Sequence, residues 1–224
     1  MTETLTVPRA ADSAGPSARA STGGWVGAAC GVAAGPLFLA AGVAQGVLRD
    51  GFSFGRNALS QLALGAEGWI QTVSFLVTGV LLVGGAWGLR RVLRGRPGGS
   101  WGPALVGVFG VSFWVAAGFP ADAGAGFPVG APEATVMTGH GTVHMLAGMV
   151  GYVALCAAFV VLGRSFAAAG LRAWAIASRV VPVGVLAGFM ASAWSVAAFT
   201  AGAGLGLLWL SVTTARLAGA ATGR

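Results

Sequence analysis

Apolar residues run through this chain in six long stretches, interrupted by glycine far more often than by charge. The stretches cover about 25–48, 69–89, 101–119, 140–162, 174–199 and 203–218. Each is close to the ~20 residues that a helix needs to cross the hydrocarbon core of a bilayer. The pattern predicts an all-α, polytopic membrane protein: a single bundle of six transmembrane helices within residues 24–219. Before it, residues 1–23 are polar and rich in Ala, Ser, Thr, Gly and Pro, and read as a disordered cytoplasmic tail. The apolar run that follows this tail is too long for the core of a secretory signal peptide. Residues 220–224 read as a short cytoplasmic tail.

Within the spans, small residues recur at helical spacing. Gly27, Gly31 and Gly35 lie four residues apart. Such stripes let two helix backbones approach closely in lipid, so Gly31 is expected at a helix–helix contact. Pro36 and Pro182 are expected to kink the first and fifth spans. Trp25, Trp69, Trp87, Trp101 and Trp174 fall near span ends and suit interfacial anchoring. Trp114, Trp194 and Trp209 fall mid-span and suit packing.

Charge then orients the bundle. Only 8% of residues are charged, against roughly 25% in soluble domains. The mean hydropathy is +0.81. The net charge of +7 comes from 13 arginines, and eleven of them fall in the tails and on alternate connections, near Arg90–Arg96 and Arg164–Arg179. Only Arg49 and Arg56 fall on the other side. The positive-inside rule therefore puts both termini in the cytoplasm of a cell-membrane protein, and an even number of spans requires the termini to share a side. This placement explains the basic balance without nucleic acid, which is excluded as a partner; membrane lipids are the partners expected. Cys30 and Cys156 lie within spans and read as small packing residues, with no disulfide framework or zinc-finger spacing.

The polar chemistry collects on the side away from the arginines. In the first outer loop Asn57 is expected to cap a short helix of residues 58–64, ended by Gly65, with Ser60 and Gln61 on it. The second outer loop, 119–133, carries Pro120, Pro128 and Pro132 with three glycines, which exclude a regular helix. Its length, prolines and aromatics suggest an ordered lid. His140 and His144 follow at i and i+4, on one helix face. They are the chain's two histidines, and an ionisable group inside a membrane usually marks a function. His140 and His144 could hold zinc with Asp122 as third ligand, Glu67 or Glu133 being the other sources. No glutamate lies between the histidines, so this is not a HExxH helix. Two histidines one turn apart cannot occupy opposite axial positions of a haem. Ser60, Asp122, His140 and His144 are the catalytic candidates. A Ser–His–Asp arrangement is open on paper, without a GxSxG elbow to support it. His144 is expected to face the bundle interior within reach of Asp122, Glu67 or Ser60.

These same residues carry a family resemblance. Leu59-Ser60-Gln61-Leu62-Ala63-Leu64-Gly65, Gly68-Trp69 and Gln71, Gly88-Leu89-Arg90-Arg91, and Gly118-Phe119-Pro120-Ala121-Asp122 leading through Gly126-Phe127-Pro128 to Gly139-His140 and His144 resemble a six-span prokaryotic membrane family. That family is catalogued as domain of unknown function 998. The resemblance covers roughly residues 25–218 and implies six helices and an outer polar site, with no established activity. A looser similarity links Ser60, Asp122 and the His-x-x-x-His helix to ceramidase-like intramembrane zinc hydrolases. This chain departs from them by lacking a third histidine and one span.

Two functions remain open. One is a non-enzymatic integral membrane protein with an outward-facing polar site formed by the two outer loops and the histidine helix. The alternative is an intramembrane, zinc-dependent hydrolase or other enzyme acting on a lipid or isoprenoid. No carboxylate lies near the midplane of a span, where a coupled transporter needs one.

Overall fold

The structure, a computed structural model, describes residues 16–222. Six α-helices follow in chain order: α1 Pro16–Leu48, α2 Gly68–Val92, α3 Trp101–Gly118, α4 Gly139–Ala168, α5 Arg172–Met190 and α6 Val196–Thr222. A 3₁₀ turn, Leu59–Ala63, precedes α2, and another, Ala191–Ala193, follows α5. No strand is present among the described residues; an isolated bridge pairs Gly124 with Phe127. The first fifteen residues of the expected tail lie outside the described residues. From Pro16 onward the chain is helical.

All six helices are long and apolar enough to cross a membrane. Only 28–44% of each spanning window is buried inside the protein. The remaining apolar side chains, Val80, Val153 and Leu186 among them, point outward. A water-soluble bundle hides its apolar face inside, whereas here both faces are apolar, as lipid on the outside requires. This establishes a multi-pass membrane protein.

Each helix packs against its neighbours in sequence, and α6 closes the ring against α1. The α6 helix also touches α2 and α4 across the ring. Glycine permits the tightest of these contacts. A β-carbon on Gly27 would sit 2.6 Å from Gly88 Cα, and one on Gly35 would sit 2.7 Å from the Leu207 carbonyl oxygen. Gly31 is buried, with Gly85 Cα 3.2 Å and Thr214 Cγ2 3.1 Å from where its β-carbon would lie. The stripe on α1 thus meets α2 and α6, as the spacing predicts. Pro36 and Pro182 lie inside α1 and α5.

Aromatic rings fill the ring's centre. Phe38 touches Phe75 and Phe113 at centroid distances of 5.3 and 5.1 Å. Phe109 continues the chain of contacts to Phe113 and Tyr152, both at 5.1 Å.

The last helical boundary differs from the expected one. The fifth span stops at Met190, not 199, and α6 begins at Val196, not 203. Ser195 accounts for the new start: its Oγ accepts from Ala198 N at 3.1 Å, satisfying one of the helix's open N–H groups. Trp194, expected to pack mid-span, therefore sits in the connection and is 85% exposed.

Candidate functional site: a capped cavity at the carboxylate end

The helices have two chemically distinct ends. The described carboxylates, Asp50, Glu67, Asp122 and Glu133, all lie in the α1–α2 and α3–α4 connections. Arg90, Arg91, Arg94, Arg96, Arg164 and Arg172 lie at the opposite end.

At the carboxylate end the two connections lock together into one cap. Gln61 donates from Nε2 to the carbonyls of Asp122 (3.2 Å) and Gly124 (3.4 Å). Asn57, fully buried, also donates to Gly124 O at 3.4 Å. Arg56 donates to Ala125 O at 2.7 Å and pairs with Glu133 at 3.5 Å. Leu59, Leu62 and Phe127 form a small core between the two loops. The expected lid is thus an ordered structure.

The short helix is present as the 3₁₀ turn, but Asn57 is not its cap. Asn57 Oδ1 accepts from Ser53 N at 2.9 Å, bracing the preceding turn instead. Gln61 Oε1 accepts from Ala58 N at 3.1 Å, so the turn is capped from inside. Gly65, at φ +76°, ends the segment, as expected for a left-handed position.

Arg49, at the boundary between α1 and the first connection, is a structural anchor rather than a solvated loop charge. Its side chain is 9% exposed. It donates to Leu62 O and, at 2.7 Å, to Leu64 O, and it pairs with Glu67 at 3.2 Å. Its guanidinium also lies 4.9 Å from the centroid of the Phe127 ring. One cation therefore joins both connections. Its position at the end of an apolar run was the available signal, since an arginine there must either reach water or find acceptors.

The four catalytic candidates separate into two places. Asp122 braces the start of α4. Its Oδ2 accepts from Thr138 N at 3.0 Å and its Oδ1 from Thr138 Oγ1 at 2.6 Å, while that hydroxyl oxygen accepts from Gly141 N at 3.1 Å. Hydrogen bonds from the Thr138 side chain and backbone, aided by the nearby His144 and His140, hold the Asp122 carboxyl below its ordinary range. The carboxylate also lies where a β-carbon on Gly141 would be, so glycine is required there. His140 is exposed, its ring 5.3 Å from that of Phe119.

His144 points into the bundle and shares one cavity lining with Ser60. His144 is buried, with Nδ1 2.8 Å from Phe119 O. A carbonyl can only accept, so Nδ1 carries a proton and donates to it, leaving Nε2 as the ring's other polar atom. The polar partner is thus a main-chain carbonyl rather than Asp122, Glu67 or Ser60. Glu67 and Glu133 are engaged by Arg49 and Arg56. Among the described residues, no three His, Cys, Asp or Glu side chains are gathered as a set able to hold a metal ion.

His144 and Ser60 line a cavity of about 310 Å³ inside the ring, toward its carboxylate end. Phe38, Phe75, Phe113, Tyr152, Phe189 and Phe199 make its walls, and Ser60 and Leu59 of the 3₁₀ turn form part of its roof. Ser112, Ser192 and Thr200 add three hydroxyls. The exposed residues in the lining are Met145 of α4 and Ser192 in the α5–α6 connection. The cavity therefore opens sideways between α4 and that connection. A β-carbon on Gly148, which also lines it, would meet nothing within 4 Å.

Compared with known proteins, the chain matches over residues 32–221 a family model described as a protein of unknown function (DUF998). No curated protein and no solved structure matches it.

Proposed function

We propose, for a chain that belongs to the DUF998 family of unknown function and forms six membrane-spanning helices, that it is a membrane receptor or carrier for a lipid-like molecule. Its ligand has an apolar chain and a small polar head, of the lipid or isoprenoid class. The carrying observation is the aromatic cavity of about 310 Å³ with His144 and Ser60 near its roof. Ligand sites are largely apolar with a few placed polar groups, and this lining has that composition. The His144 ring and the Ser60 hydroxyl offer two polar groups in this lining, enough to orient a hydroxyl or similar head. We place this cavity on the outer side of the cell membrane, with the arginine-rich end in the cytoplasm, from the positive-inside rule.

The test is lipid analysis of the purified protein by mass spectrometry. A β-carbon at Gly148 would meet nothing within 4 Å, so Gly148→Phe is expected to put its ring into the cavity and to leave folding intact. An apolar molecule held by the wild type and lost from Gly148→Phe is the expected result. Identical extracts from both proteins would overturn the reading. So would stoichiometric zinc lost on replacing His140 and His144 by alanine, which would favour the hydrolase instead.

A further inference from the structure

At the arginine-rich end, a second cavity of about 470 Å³ lies as a groove between α2 and α3, remote from the cap and independent of the reading above. We infer that this groove binds an anionic phospholipid, with the phosphate on Arg90 and one acyl chain over Ala86, Ala104 and Gly107.

Small residues make the trough. Ala86 comes from α2 and Ala104 and Gly107 from α3. A β-carbon on Gly107 would meet Ala86 Cβ at 3.8 Å, an ordinary contact distance, so the glycine leaves a recess about one methyl deep between the packed helices. Above the trough sits Arg90, exposed but tethered: its Nη1 donates to Gly99 O at 3.0 Å and to the Ser100 hydroxyl. Both tethers use one nitrogen, and a guanidinium has donors on three. Its position is therefore fixed while hydrogen-bonding capacity remains. Neighbouring Arg91 is engaged elsewhere, 4.0 Å from the Trp87 ring centroid.

Charge decides the occupant. The last turn of α2 and the α2–α3 connection carry Arg90, Arg91, Arg94 and Arg96 and no carboxylate. Every described carboxylate is at the other end of the molecule. Trp101, 71% exposed, lines the same groove at the start of α3, where an indole suits the interface between headgroups and chains. A fixed cation and an indole above an apolar trough match an anionic headgroup above its acyl chain. A free phosphate would use the cation but leave the trough without an occupant.

The experiment uses the full chain in detergent, reading retained lipid by native mass spectrometry after addition of phosphatidylglycerol, phosphatidylcholine or glycerol phosphate. Wild type is expected to retain phosphatidylglycerol in preference to phosphatidylcholine. Arg90→Gln should lower that retention about fivefold, the factor equivalent to about 1 kcal/mol per basic residue at an anionic surface. Ala104→Leu, at an exposed position that disturbs no buried contact, should lower it through the trough, and it carries the test if Arg90→Gln fails to fold. Gly148→Phe should leave it unchanged, which separates this groove from the capped cavity. Equal loss from Arg94→Gln, equal retention of phosphatidylcholine, or competition by glycerol phosphate as effective as by the lipid would each overturn the inference.

Discussion

Gln45 and Gln71 show what a single polar side chain costs inside this bundle. Gln71 is fully buried and Gln45 nearly so, and Gln45 Nε2 donates to Gln71 Oε1 at 2.7 Å and to Ala41 O at 3.1 Å. The other two amide atoms make no hydrogen bond to protein. Replacing either glutamine by leucine removes the shared bond and strands the partner, whereas replacing both strands nothing. Each single variant should therefore lose on the order of 1 kcal/mol in detergent unfolding, and the double variant less than the sum. Strictly additive losses would mean the pair is uncoupled. Asp122 allows a second measurement, against pH. Its carboxyl is held below its ordinary value, so its stabilisation is fully present above that value, about 3.9, and is lost as pH falls through the lower folded value. Wild-type thermal stability should fall in that acid range, and Asp122→Asn should be less stable at neutral pH and lack that part of the acid dependence. An unchanged acid profile in the variant would remove Asp122 from its bracing role.

For the helices, close approach matters more than side-chain chemistry. A β-carbon at Gly27 would meet the Gly88 backbone at 2.6 Å, while at Gly31 it would meet Gly85 Cα at 3.2 Å. Gly27→Ala should thus destabilise by about 1–3 kcal/mol, the range for overpacking, and Gly31→Ala by less. The reverse order in thermal unfolding would show that α1 shifts to relieve the contact. The sequence reveals this packing because glycine at every fourth position has few other uses in lipid. It hides the α5–α6 break because Ala191–Ser195 carries no charge, proline or glycine to mark it, and the cap rests on the Ser195 hydroxyl. It also hides the division of the polar residues. Spacing places His140 and His144 on one face, but only the tertiary path of residues 119–138 puts Asp122 on Thr138 and the Phe119 carbonyl on His144. The role of Arg49 depends on carbonyls 13 and 15 residues away, which no local pattern records.

For the whole molecule, the segregation of charge between the two ends makes a topological prediction. In a protein lacking Cys30 and Cys156, a cysteine in place of exposed Arg94 should resist a membrane-impermeant thiol reagent applied to cells, and one in place of exposed Val136 should react. Labelling at position 94 alone would invert the orientation and move the capped cavity to the cytoplasmic side.

The locked cap has a further consequence for how occupancy is counted. Gln61, Asn57 and Arg56 tie the second connection down across the end of the bundle, and the exposed lining residues, Met145 and Ser192, mark a sideways opening, which under the proposed function is the way in from the bilayer. A molecule reaching His144 by that route has already left water. Filling of the site should then follow the mole fraction of that molecule in the membrane, so diluting the bilayer with inert lipid should empty it at constant aqueous concentration.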